Sequence, residues 1–298
     1  MNESDKFRSL AYSLLAVLCW STVATAFKLS LQGLSFAQLL FFSSLTSTVV
    51  LFLVAYKNSG NILKTSFTGD GLKRNLLNGF INPFLYYLVL FKAYSLLPAQ
   101  EAQPLNYTWP IAISIFSVIF LKQKLSFRTI IGLVTAFLGV VVIATRGQLT
   151  LLQVHSLTGV VFAAGSSIIW ASYWTLNLLD KRDNAAKLFG SFFIGTVFTG
   201  IYILLFDSFN IPDIKYLFGA VYVGLFEMGI TFFFWMKGLD LSTNKAKTST
   251  LAYLAPFISL LFITFILKEK LYLSSIAGLI LIVGGILFQQ LERKKAAA

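Results

Sequence analysis

The chain has 298 residues, 57% of them hydrophobic and only 12% charged, about half the charged share of a soluble domain. That balance excludes an ordinary soluble enzyme or binding module and points to an integral membrane protein. A net charge of +12 would suit a nucleic-acid reader, but Lys and Arg are scattered singly between apolar runs instead of being gathered on one face, so no nucleic acid is expected.

A helix needs roughly 20 apolar residues to cross a hydrocarbon core, which leaves room for about ten crossings joined by short loops. The opening "MNESDKFRSL" carries Glu3 and Asp5 and leads into a full-length span, a poor match to a cleaved signal peptide. The first span, Leu10 to Phe27, carries Trp20 near its middle, and Lys28 follows it. The second runs from Phe36 to Tyr56 and the third from Leu72 to Leu96. In the third, Asn78, Asn82 and Tyr86 fall at i, i+4 and i+8, one polar stripe, and Asn82 precedes Pro83, a natural kink site.

The fourth span, Ala99 to Leu121, opens with "AQEAQPLNYTWP". Gln100, Gln103, Tyr107 and Pro110 share a stripe flanked by Asn106, and Trp109 lies beside it. A polar stripe on a membrane helix faces protein or water, not lipid. Pro104 and Pro110 free backbone carbonyls that need other partners. Glu101, near the outer end, reads as a solvated charge paired with Lys92 or Lys28. The fifth span is Thr129 to Thr145, and the sixth, Thr158 to Leu178, brings Ser166, Ser167, Trp170, Ser172, Tyr173 and Asn177. The seventh is Leu188 to Phe206.

The eighth span, Tyr216 to Lys237, carries Glu227 within "LFEMGITFFFW". That carboxylate sits roughly 16 Å from the helix start, close to the midplane of a ~30 Å core. Ala220, Gly224 and Thr231 share its face, so it is expected to point inward, because an ionised carboxylate in hydrocarbon is costly. Spans nine and ten are Lys245 to Leu267 and Tyr272 to Gln290. Trp174 and Trp235, nearer the helix ends, read as interfacial anchors. Cys19 is the lone cysteine and His155 the lone histidine, so no disulfide or multi-histidine metal site is expected, nor any cofactor.

With the N-terminus inside the cell, 24 Lys and Arg divide so that only Lys28, Lys92, Arg146, Lys215, Lys268 and Lys270 lie outside. This strong bias places both ends in the cytoplasm. The 37 residues from Tyr107 also align without a gap on those from Tyr253, at a constant offset of 146, with eleven identities. These include the Tyr and Pro of Y-x-x-P, the hinges Lys122 to Leu125 and Lys268 to Leu271, and two glycines seven apart. Spans three and eight match near offset 145, which sets Asn82 opposite Glu227. A repeat of five spans is odd, so its second copy inserts upside down, an arrangement that lets two halves rock about a midplane site.

The Trp and Lys of "CWSTVATAFK", the mid-span Pro of spans four and nine, and the charged hinges ahead of Gly-rich spans five and ten resemble the EamA-type branch of the drug/metabolite transporter superfamily along essentially the whole chain. Within it, "LNYTWP", Leu105 to Pro110, is similar to the N-Y-x-W-P of aromatic amino-acid exporters, and "IIWASYW", Ile168 to Trp174, to their sixth span. The chain departs in lacking an Arg in span two and in carrying Gln123 where relatives have Glu; Glu269 keeps that residue in the second hinge.

The resemblance implies an all-α integral membrane fold of ten helices in two inverted five-helix repeats, 1–146 and 147–295, with Ala296 to Ala298 read as a cloning remnant. It also implies a central cavity lined by helices one, three, four, six, eight and nine. The expected function is export of aromatic or large neutral amino acids across the inner membrane by a monomer, with no enzymatic activity. Trp20, Asn82, Tyr86, Asn106, Tyr107, Trp109, Trp170, Tyr173 and Glu227 are the candidate substrate-binding residues, and Glu227 is also the candidate proton carrier. A carrier for a nucleotide-like or quaternary-ammonium solute, or an importer, is the alternative reading. An intramembrane enzyme or scaffold would show a catalytic cluster or a large loop, and the sequence offers neither.

Overall fold

A computed structural model describes residues 3–58, 62–121, 127–148, 156–208, 212–242, 248 and 250–296. The hinge at Lys122 to Leu125, His155, and Lys245 with Lys247 lie outside the described residues. Those described form helices and turns throughout. In chain order they are α1 (Glu3–Ser30), α2 (Phe36–Asn58), α3 (Ile62–Phe67), α4 (Gly69–Gly79), a π-helical turn (Phe80–Leu85), α5 (Tyr86–Leu96), α6 (Ala99–Asn106), α7 (Trp109–Leu121), α8 (Phe127–Ala144), α9 (Leu157–Leu179), α10 (Asn184–Phe206), α11 (Ile214–Phe226), α12 (Ile230–Asp240), a 3-10 turn (Thr250–Tyr253), α13 (Leu254–Ile266) and α14 (Leu273–Ala296).

Among the described residues, seven helical runs are long and apolar enough to cross a membrane, and shorter apolar helices accompany them. Several expected spans are broken. In the third, Asn82 leaves the helical region (φ −146°, ψ 121°) just before Pro83, which has no N–H to continue the ladder. The fourth breaks at Tyr107 and Thr108 ahead of Pro110, and the eighth over 227–229. At the eighth-span break the freed carbonyls find side chains: the Thr231 hydroxyl donates to Phe226 O at 2.5 Å and Ser47 to Met228 O at 2.9 Å. Breaks inside an apolar medium survive only when such partners exist.

Helix α1 packs on α11, α12 and α13, α5 on α9, α2 on α10 and α11, and α8 on α14. The α8 and α14 pair crosses at glycines. A Cβ on Gly139 would lie 2.6 Å from Gly278 O, and one on Gly285 would lie 2.5 Å from Gly132 O, so the backbones touch where no side chain fits.

Polar networks tie the two ends of the bundle. At the end where α1 begins, Arg182 bridges Asp180 (2.6 Å), Asn75 Oδ1 (2.9 Å) and Gly71 O (3.2 Å), joining α4 to the α9–α10 turn. Burial acts to raise the Asp180 carboxyl, but the hydrogen bonds and charge of Arg182 outweigh it and hold the group below the usual carboxylate range. At the opposite end Arg146 pairs with Glu101 at 2.7 Å and stacks over Tyr272 at 4.8 Å. Glu101 is only 1% exposed, so it is a buried ion-pair partner, not the solvated charge expected. Gln100 there accepts from Tyr272 N (3.0 Å) and Ser275 Oγ (3.1 Å), while Glu269 accepts from Ala99 N (3.1 Å).

Candidate functional site: a tryptophan-lined cavity

The helix breaks surround one cavity of about 410 Å³. Helix α1 contributes Trp20, Val23 and Phe27, and α5 contributes Tyr86, Leu90 and Tyr94. From α6, its break and α7 come Gln103, Asn106, Tyr107, Trp109, Pro110 and Ile113, and α9 adds Trp170 and Trp174. The α11–α12 break and α12 supply Glu227, Phe232, Trp235 and Leu239; Ala252, Tyr253 and Ile286 complete the wall. All five tryptophans of the chain are among these residues, and none of them is Lys, Arg or His.

The rings form a continuous aromatic wall. Trp20 lies 5.2 Å from Trp235 and 6.2 Å from Phe232, Trp170 lies 4.7 Å from Tyr86 and 5.9 Å from Trp174, and Phe232 links the two groups at 6.2 Å from Trp170. Tilted and edge contacts at these separations hold aromatic rings in fixed orientations. Toward the end where α1 stops, Phe27 packs on Phe91 (4.8 Å) and Tyr94 (5.1 Å), and Phe27 and Tyr94 both line the cavity.

Glu227 sits where α11 ends. Its N–H still bonds Val223 O at 2.9 Å, but the chain then turns, which frees the carboxylate from the helix surface. The Tyr87 hydroxyl donates to Glu227 Oε1 at 3.1 Å. Among the described residues no cation pairs with it. Beside it, Tyr86 OH donates to Asn106 Oδ1 (3.2 Å), and Asn106 Nδ2 donates to Ser166 Oγ (2.8 Å). Thus Asn106 spends its amide on the scaffold and presents its remaining edge to the cavity. No three His, Cys, Asp or Glu side chains meet among the described residues.

The sequence profile of the EamA-like transporter family matches residues 8–145 and again 157–289. The chain belongs to the EamA-like transporter family. Among similar proteins are the uncharacterized transporter YvbV of Bacillus subtilis, 28% identical over 75% of this chain and 74% of that one. An uncharacterized transporter of Archaeoglobus fulgidus is 25% identical over 91% and 95%. The aromatic amino acid exporter YddG of Ancylobacter novellus is 25% identical over 62% and 64%. A solved crystal structure with 20% sequence identity superposes at a TM-score of 0.69, covering 97% of this chain and 99% of that one, which marks a shared fold. The family and these names point to a multi-pass membrane transporter and away from an enzyme.

In this EamA-like transporter, Trp20, Tyr86, Asn106, Tyr107, Trp109, Trp170 and Glu227 line the cavity. Asn82 and Tyr173 stand behind the wall. Both are almost fully buried, Asn82 at 1% exposed and Tyr173 at 2%, and the Tyr173 hydroxyl accepts from Asn177 Nδ2 at 3.4 Å. Trp174 and Trp235, read from the sequence as interfacial anchors, are among the residues that line the cavity. Spacing could have found them: Trp174 follows Trp170 by one turn, and Trp235 lies two turns beyond Glu227 on the stripe of Thr231. Gln103, named in the sequence stripe, also lines the cavity, and Tyr94 and Phe232 join it without any polar signal to mark them.

Proposed function

We propose that this transporter exports small amino-acid-like metabolites, best fitted by aromatic or large neutral amino acids, across the inner membrane by alternating access. The observation that carries the reading is the lining: five indoles, several phenols and a single carboxylate around about 410 Å³. That volume lies within the roughly 300–1,000 Å³ typical of small-molecule sites. The rings offer stacking faces for an aromatic side chain, and Glu227 offers an acceptor for an ammonium. Similarity to a protein named an aromatic amino acid exporter points the same way. Trp20, Tyr86, Asn106, Tyr107, Trp109, Trp170 and Glu227 contact the solute in this reading, while Asn82 and Tyr173 brace the α4–α5 break. The protein acts as a monomer with both ends in the cytoplasm.

Alternating access follows from two inverted five-helix repeats, residues 1–146 and 147–295, rocking about the cavity. Three observations support this. The family profile matches each half separately. The helix breaks recur at Asn82 and Glu227 and at Tyr107 and Tyr253, the offsets of the sequence repeat. The glycine contacts are reciprocal: Gly139 meets Gly278 while Gly285, the counterpart of Gly139, meets Gly132, the counterpart of Gly278.

The test is uptake and counterflow in proteoliposomes with labelled amino acids, comparing the wild type with Glu227→Gln. The account expects aromatic amino acids to exchange and the variant to lose exchange or its pH dependence. If Glu227→Gln leaves rate, selectivity and pH dependence unchanged, both the ammonium and the proton role fall.

A further inference from the structure

We infer that the cavity prefers aromatic amines, which carry an ammonium but no carboxylate, to the zwitterionic amino acids themselves. The inference rests on the aromatic amino-compound reading above and narrows its substrate class.

Charge balance carries it. Among the described residues the lining holds Glu227 and no Lys, Arg or His. The nearest cation along α1, Lys28, is committed elsewhere: its ammonium donates to Tyr94 O at 2.9 Å and Leu97 O at 3.1 Å, and it is not among the lining residues. Across the rest of the molecule, Arg146 and Arg182 are held by Glu101 and Asp180 at the two ends of the bundle. A monocation bound beside ionised Glu227 brings the buried charge to zero. A zwitterion leaves one negative charge in a cavity bounded by apolar rings, and uncompensated buried charge is expensive.

The remaining polar groups do not redress this. Asn106 is already engaged with Tyr86 and Ser166, and the Tyr87 hydroxyl donates to Glu227. What is left for a solute carboxylate is neutral: the Gln103 amide, the indole N–H groups and the Tyr94 and Tyr107 hydroxyls, none of which donates to a protein acceptor among the described hydrogen bonds. The aromatic wall favours the same solute. Trp20 and Trp235 with Phe232, and Tyr86 with Trp170, present ring faces and edges around the carboxylate, and an ammonium or an arylalkyl chain gains from both.

A zwitterion can reach neutrality in one other way, by binding with Glu227 protonated. The groups that titrate around Glu227 are the phenols of Tyr86, Tyr87 and Tyr94 from α5 and of Tyr107 from the α6–α7 break, together with the Cys19 thiol of α1 beside Thr231. Helix α2, also packed on α11, brings serines and Thr46 to this contact and no charge. Glu227 is therefore the group whose proton distinguishes the two modes. Amine affinity rises with pH as Glu227 ionises, and zwitterion affinity falls.

The experiment is a calorimetric titration of the purified full chain with matched ligands: tyramine against L-tyrosine, phenethylamine against L-phenylalanine, L-phenylalaninamide as an amino acid whose carboxylate is neutralised, and 3-phenylpropionate as a ring with only the acid. Empty micelles correct for partition. The expected result is that amine and amide bind at least about tenfold more tightly than the zwitterion, a difference of about 1.4 kcal/mol. Phenylpropionate gives no saturable heat, and Glu227→Gln removes most of the amine advantage. Zwitterions that bind as well as or better than the amines overturn this inference and leave the amino-acid reading standing. If no member of the series binds, both fall. The wild-type series decides the matter even where Glu227→Gln does not yield folded protein.

Discussion

Replacing Gly139 with Ala tests the packing that holds α8 against α14. The added Cβ would sit 2.6 Å from Gly278 O and 2.8 Å from Ile282 Cγ1. Ordinary contact begins near 3.4 Å, so the helices must part by about 0.8 Å at this crossing. Ala136, Ile143, Leu279, Ile282 and Ile286, all 2% exposed or less, meet along the same seam. A gap of that size forfeits a quarter to a half of each contact's ~0.1–0.2 kcal/mol, and roughly 20 such contacts lose about 0.5–2 kcal/mol. With the local strain of overpacking the total falls at about 1–3 kcal/mol. Gly284, on the partner helix α14, is the matched control, because a Cβ there meets nothing within 4 Å. Its change to Ala gains about 0.5–1 kcal/mol from reduced backbone entropy in the unfolded chain. Thermal unfolding in detergent, followed by intrinsic fluorescence, should show Gly139→Ala melting roughly 2–10 °C lower and Gly284→Ala unchanged or higher. Pairing Gly139→Ala with Gly285→Ala should cost less than the sum, since one separation accommodates both. Equal losses at Gly139 and Gly284, or none at Gly139, would refute the account of this seam.

Other outcomes follow from the same geometry. Asp180 is held below the usual carboxylate range by Arg182, so its contribution is present above the unfolded value near ~3.9 and is lost as pH falls through the lower folded value. Asp180→Asn should therefore lower stability at neutral pH by about 1.5–3 kcal/mol, the range for a hydrogen bond to a charged group. Denaturation midpoints of variant and wild type should converge below about pH 4; a constant gap down to pH 3 would count against the pair. Trp235→Phe, which keeps a ring for an interfacial anchor, should still weaken ligand binding several-fold if the indole faces the solute; unchanged binding returns Trp235 to the belt. Tyr87→Phe removes the hydroxyl 3.1 Å from Glu227. It should shift the pH dependence of transport while leaving the fold intact, and an unshifted profile would show that this contact does not tune the carboxylate.

Much of this arrangement is legible in the sequence because it depends on depth along helices. Breaks fall at Asn82 and Glu227, 145 residues apart, and at Tyr107 and Tyr253, the tyrosines of the two Y-x-x-P matches, 146 apart. Rotation about a helix axis is harder to read. Asn82 leaves the helical region just before its proline, so it is buried, 1% exposed, and does not follow the stripe through Tyr86 into the cavity lining. Trp174 and Trp235 line the cavity, and sequence alone does not separate an indole on a cavity wall from one at a helix end. The partner of Glu101, Arg146, is 45 residues away, so the pair does not show in the local sequence. The place of Glu101 at the end of a span resembles that of a solvated charge, and only the return of α8 beside α6 buries it.

All five tryptophans line the cavity, so their emission reports on its contents. The most direct test of the central claim is a titration of the purified protein with L-phenylalanine and phenethylamine, exciting indole where neither ligand absorbs. A saturable change in emission, weakened by Trp20→Phe and by Glu227→Gln, is the predicted result. Emission that stays unchanged with both ligands while the protein remains folded would contradict the assignment of this cavity as the substrate site.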